Sequence, residues 1–167
     1  DITAAFLHAD LNEDIYVDPP PGTGTPTNKI WKLNKAVYGL KQASREWNIY
    51  LHKKLLSLGF VRLNSEPCIY KKKNSNHIIG LFVDDIVSAG VSDDHIEFFE
   101  GLLKCEILVK DLGSCDGFLG VDINVRDSLW VLTQQKLVKK TLKRFNMDEC
   151  AGKFVPLDPG LQQSIEK

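Results

Sequence analysis

The stretch from Ile78 to Ala89 limits what this chain can fold into more than any other. Ile78-Ile79-Gly80-Leu81-Phe82-Val83 reads as a β-strand and Ile86-Val87-Ser88-Ala89 as its antiparallel return, with Asp84-Asp85 between them. Both arms are apolar almost throughout, so the pattern predicts a hairpin covered on both faces. A tight turn favours Asn-Gly or Asp-Gly, because glycine tolerates positive φ. Asp-Asp supplies no glycine and sets two like charges side by side against a low-dielectric interior. That costs free energy unless a cation offsets it. Two carboxylates on a rigid tip suit a hard divalent cation such as Mg2+; the alternative is a solvated turn.

A chain of 167 residues, 43% hydrophobic, is long enough for one globular domain. No apolar stretch approaches a membrane span, and no signal-peptide pattern opens the chain. Cys68, Cys105, Cys115 and Cys150 show no ligand spacing, which predicts free thiols in a reducing compartment. The sequence opens on Asp1 inside an apparent strand, as a fragment would. Net charge is −1, but it is segregated: residues 1–28 carry −5, 29–73 carry +9, 74–127 carry −8 and 128–167 carry +3. An acidic metal site bordered by basic surfaces for a polyanion would give this distribution, and so would ordinary solvated faces.

Periodicity predicts mixed elements. Asp1–Phe6 and Ile15–Val17 read as short strands, and Ile30–Leu33 as extended. A helix is expected from Gln42 to Leu58, with Trp47, Leu51, Leu55 and Leu58 on one stripe and Gly59 ending it. Cys68–Lys72 should pair with the strand leading into Asp84. Ser92 is the expected N-cap of a helix whose inner face is Ile96, Phe99 and Leu103. Gly117–Val125 and Leu129–Thr133 should form a hairpin across Arg126-Asp127-Ser128. A last helix, Lys136–Phe145, puts Val138, Leu142 and Phe145 on one face, and the final twenty residues read as extended and weakly ordered. Strands interleaved with helices predict an α+β fold with a largely antiparallel sheet.

Five segments then fall in a known order and spacing. They are Asp1-Ile2-Thr3-Ala4-Ala5-Phe6-Leu7, Val37-Tyr38-Gly39-Leu40-Lys41-Gln42-Ala43-Ser44-Arg45-Glu46-Trp47, Phe82-Val83-Asp84-Asp85, Lys110-Asp111-Leu112-Gly113 and Phe118-Leu119-Gly120-Val121-Asp122-Ile123. On these segments the chain resembles the reverse transcriptase of copia-type retrotransposons nearly end to end. The resemblance implies a polymerase palm over residues 1–133, and the start of a thumb with an extended tail over 134–167, within a single domain. It implies an RNA-directed DNA polymerase in which Asp1, Asp84 and Asp85 are catalytic and bind two Mg2+ ions, with Mn2+ as a possible substitute. Phe82 stands where the family usually has Tyr, and Ser44 where it commonly has Pro.

Other positions carry roles only by this resemblance. Phe6 matches an aromatic steric gate against a ribose 2′-hydroxyl, or is a plain core residue. Gln42 matches a residue near the incoming nucleotide, or is a polar helix start. Lys41 and Arg45 are candidates for nucleic-acid phosphate contact, or are exposed helix charges. Lys110 could protonate the leaving pyrophosphate, or lie on the surface. Phe118, Leu119 and Gly120 resemble a primer grip, with Gly120 allowing close backbone approach or marking a bulge. The helix bearing Lys136, Lys139, Lys140, Lys143 and Arg144 could track a duplex. Trp31, Trp47 and Trp130 read as core or groove aromatics.

The implied partners are an RNA template, a DNA or RNA primer, dNTPs and the remaining polyprotein, namely most of the fingers, ribonuclease H and integrase, with no membrane. The implied location is intracellular, in a cytoplasmic virus-like particle or the nucleus. The alternative function is a catalytically incompetent retroelement remnant that keeps the fold.

Overall fold

A computed structural model describes residues 1–126, 129–152 and 154. It divides into two compact units, Asp1–Gly113 and Ser114–Lys167. The sequence reading groups residues up to 133 as palm, whereas packing groups the hairpin of residues 117–133 with the helix that follows it.

In the first unit the chain begins with Ile2 in an isolated antiparallel bridge to Val109, then a 3-10 helix, Ala5–His8. The expected Asp1–Phe6 strand is therefore limited to that bridge. Ala4 adopts a left-handed conformation (φ 51°), which ends extended pairing and turns Ala5 and Phe6 into the core. Strands β1 (Asp10–Val17) and β2 (Trp31–Lys35) form a two-stranded antiparallel ribbon.

Helix α1 (Ala43–Ser57) buries Ala43, Trp47, Leu51 and Leu55, a spacing of four that keeps one face inward, as the periodicity predicts. Burial of each of the three large side chains contributes about 1.5–3 kcal/mol. Gly59, at φ 83°, ends the helix with a left-handed residue that glycine adopts without strain.

The main sheet is antiparallel, in order β3 (Phe60–Arg62), β4 (Ile69–Lys72), β5 (Ile78–Phe82), β6 (Asp85–Ala89). It is covered on one face only, which corrects the expectation of two. Ile79 and Leu81 are buried, while Ile78 is 40% and Phe82 50% exposed. Unbroken apolarity thus hides an ordinary period-two strand whose outward residues are also apolar.

Helix α2 (Ser92–Lys104) turns Phe98, Gly101 and Leu102 inward, one position away from the expected Ile96, Phe99 and Leu103. A Cβ on Gly101 would lie 2.9 Å from a Leu58 methyl, so this glycine lets α1 and α2 approach and selects the inward face. Val91, not Ser92, is the N-cap; its backbone N–H donates to Asp94 Oδ2 at 3.2 Å.

The second unit holds β7 (Gly117–Phe118), β8 (Val121–Arg126) and β9 (Leu129–Thr133), followed by α3 (Gln135–Arg144). The expected strand Gly117–Val125 is broken by Leu119 (φ 51°) and Gly120 (φ 78°). Two successive positive φ values make a tight two-residue turn, so β7 folds back on β8. Residues 127 and 128 of the expected second turn lie outside the described residues, as does most of the expected C-terminal tail. No residue of α3 is fully buried, and of its expected apolar face Val138 and Phe145 are exposed while Leu142 is half-buried. The four cysteines are free thiols, and no described helix is long and apolar enough to cross a membrane.

Candidate active site

At the tip of the main hairpin Phe82 pairs with Asp85, so the two turn residues are Val83 and Asp84, and Asp85 begins β6. Val83 has φ 56°. A β-branched residue in this region is strained by about 1–3 kcal/mol, and such strain persists only where surroundings over-determine it. Two hydrogen bonds to the carbonyls of the turn do so. The Trp47 indole N–H donates to the Val83 carbonyl at 2.7 Å, from a side chain only 2% exposed. The Ile2 N–H donates to the Asp84 carbonyl at 2.8 Å.

The second contact brings the start of the chain to the hairpin tip. The other edge of the same segment pairs with residues 108–110: Asp1 N donates to Lys110 O at 3.1 Å, Lys110 N to Asp1 O at 2.8 Å, and Thr3 N to Leu108 O at 2.9 Å. Asp1, Asp84, Asp85 and Lys110 therefore lie on adjoining backbone, with Asp1 and Asp85 exposed and Asp84 half-buried. As their side chains stand, no three carboxylate, imidazole or thiol groups among the described residues are close enough to hold one ion. The donor chemistry still fits a hard divalent cation: three carboxylates on hydrogen-bonded, rigid backbone.

Tyr38 completes this surface, and sequence reasoning did not find it. Its hydroxyl donates to Asp84 Oδ2 at 3.3 Å, and its ring lies 4.4 Å from that of Phe6, tilted by 55°. Partial desolvation, then the negative charge and hydrogen bond of Asp84, hold the phenol above its ordinary pKa. Tyr38 is 60% exposed, whereas Phe6 is 6% exposed and belongs to the core. Tyr38 lies in one of the quoted segments, but nothing in the sequence ties it to a carboxylate 46 positions away.

The remaining predicted residues are dispersed. Gln42 occupies the N-cap position of α1 without capping it, and its side chain donates to Glu13 at 3.4 Å. Lys41 is exposed, and Arg45, also exposed, lies 3.7 Å from the buried Glu46. In the second unit Phe118, Leu119 and Gly120 line a shallow groove of about 340 Å³ together with Lys136 and Lys140. Asp122, on its wall, accepts from the Lys136 backbone N–H at 3.1 Å and pairs with the Lys136 ammonium at 3.4 Å.

The chain is similar to known proteins along most of its length. A family model described as reverse transcriptase (RNA-dependent DNA polymerase) matches residues 1–159. The chain is 37% identical over 98% of its length to a retrovirus-related Pol polyprotein from transposon TNT 1-94 of Nicotiana tabacum. It is 31% identical over 99% of its length to one from transposon RE1 of Arabidopsis thaliana. It is 30% identical over 95% of its length to a transposon Ty1-DR1 Gag-Pol polyprotein of Saccharomyces cerevisiae. The chain spans only 13%, 12% and 9% of these relatives. No solved structure matches.

Proposed function

This chain belongs to the reverse transcriptase (RNA-dependent DNA polymerase) family, and from that premise we propose that it is the palm portion of an RNA-directed DNA polymerase carried in a copia-type Pol polyprotein. The reaction joins the primer 3′-oxygen to the α-phosphorus of a dNTP, breaks the bond to the β-phosphate oxygen and releases pyrophosphate. The observation that supports this reading is the 2.8 Å bond from Ile2 N to Asp84 O, which sets the two acidic segments edge to edge.

Asp1, Asp84 and Asp85 would hold two divalent cations, Mg2+ or Mn2+. Bound there, such ions supply Lewis-acid activation of the 3′-hydroxyl and neutralise charge on the leaving group. The chain's own part is positioning. Trp47 and Ile2 fix both carbonyls of the turn, so the acids ride on a tip that cannot slide. Phe6, beneath Tyr38, backs the wall against which a nucleotide sugar would rest. Lys110, hydrogen-bonded to Asp1 through backbone, would supply the ammonium that gives its proton to departing pyrophosphate. Gln42, Lys41 and Arg45, at and just before the start of α1, would meet template and nucleotide phosphates. Phe118, Leu119 and Gly120, with Lys136 and Lys140 across the groove, would seat a primer backbone.

Primer extension on an RNA template by the polyprotein's whole polymerase tests this. Wild type should extend with Mg2+, and Asp84→Asn or Asp85→Asn should fall at least about hundredfold, the loss of a few kcal/mol of charge stabilisation. The 167-residue chain alone should extend poorly. Undiminished extension by either variant would overturn the assignment.

A further inference from the structure

We propose that Tyr38 is a positioning residue of the acidic site, whose hydroxyl fixes the orientation of the Asp84 carboxylate toward a divalent cation. The inference rests on the reading of Asp84 as a cation ligand and adds a residue to it.

The main chain of the tip is already anchored, because Trp47 takes the Val83 carbonyl and Ile2 bonds the Asp84 carbonyl. Neither contact sets the Asp84 side chain. Among the described residues the Tyr38 hydroxyl is its hydrogen-bond partner, at 3.3 Å to Oδ2. A carboxylate has about four lone-pair sites, so one donor leaves room for a cation while removing rotational freedom.

Tyr38 is itself held, although it is 60% exposed. Its ring rests on Phe6 at 4.4 Å, and Phe6 is buried. Two residues earlier, the buried Ala36 N–H donates to Ala9 O at 2.9 Å. An exposed tyrosine that only covered the core would need no partner for its hydroxyl beyond water. This one gives its donor to an acid of the strained turn itself.

Outer partners that orient ligating groups typically govern cation affinity by 10–100-fold. The bond here is long and lies on an accessible face, so the low end of that range applies, about tenfold. Tyr38→Phe removes the hydroxyl and keeps the ring on Phe6, which separates orientation from packing.

The test is Mn2+ binding to the 167-residue chain, read as loss of the free-ion electron paramagnetic resonance signal, with thermal melting in parallel. Asp84→Asn should weaken binding by more than tenfold, and Tyr38→Phe by about tenfold at an unchanged melting temperature. If Asp84→Asn weakens binding while Tyr38→Phe matches wild type, the positioning role is overturned and the acidic site stands. If Asp84→Asn also matches wild type, the acidic site is overturned and Tyr38's role with it.

Discussion

Replacing Trp47 with Phe asks whether one hydrogen bond holds the tip of the β5–β6 hairpin. The indole is 2% exposed and donates to the Val83 carbonyl at 2.7 Å, on a turn whose φ of 56° is unfavourable for valine. Two costs follow from losing it. The Val83 carbonyl, part-buried, loses its partner, which costs about 1–3 kcal/mol. The smaller ring leaves a void beside His8 and Tyr50, adding about 1 kcal/mol. The sum, about 2–4 kcal/mol, is a large share of the 5–15 kcal/mol typical of a domain. Urea unfolding followed by far-ultraviolet circular dichroism measures it. With a slope of about 2 kcal/mol per molar, the midpoint should fall by about 1–2 M at an unchanged slope. A loss of 1 kcal/mol or less would mean that only the void counts. The bond would then contribute nothing, and Trp47 would not fix the tip.

Two further predictions follow from buried polar groups. His77, 0% exposed, packs edge-on against both Phe60 and Phe98, with Nε2 2.7 Å from Ser88 Oγ, which in turn lies 2.8 Å from His95 Nδ1. Burial holds its pKa below the ordinary 6.5; Asp94 and Glu97 oppose that, while His95 and Lys72 reinforce it. The unfolded chain therefore binds more protons there, so this stability is complete above about pH 6.5 and is lost as pH falls through the depressed native value. Melting temperature should drop from pH 7.5 to 5.5 in wild type and drop less in His77→Phe; equal slopes would refute the assignment. In the second unit, Asp122→Asn removes the charge that joins β8 to the first turn of α3. It should destabilise that unit by about 1–3 kcal/mol, seen as faster amide exchange in α3. Unchanged exchange at Lys136–Lys140 would show that the contact is idle.

What the sequence disclosed was mostly local or pairwise. The spacing of Trp47, Leu51, Leu55 and Leu58 placed α1 because that period belongs to one helix face alone, and the structure adds Ala43 to the same buried face. The hairpin around Asp84-Asp85 was legible from its two apolar arms, though apolarity could not reveal that Ile78 and Phe82 face outward. The α2 face was misread by one position because Phe98-Phe99 and Leu102-Leu103 are apolar doublets, and the choice between their members is made by Leu58, the C-cap of α1, against Gly101. Asp1–Phe6 looked extended because a left-handed Ala4 leaves no compositional mark. The quoted segments singled out the acids as candidates. They could not show Tyr38 bonded to Asp84, since that contact exists only once the loop before α1 folds over Phe6.

The central claim is that Asp1, Asp84 and Asp85 serve one divalent-cation site. Backbone amide spectra of the 15N-labelled chain under substoichiometric Mn2+ test it most directly, because paramagnetic broadening marks whichever amides lie nearest the ion. The account predicts that Ile2, Asp84, Asp85 and Lys110 broaden first and together. Broadening that starts at other acids, such as Asp93 and Asp94 on α2 or Asp10 and Asp14 on β1, would contradict it.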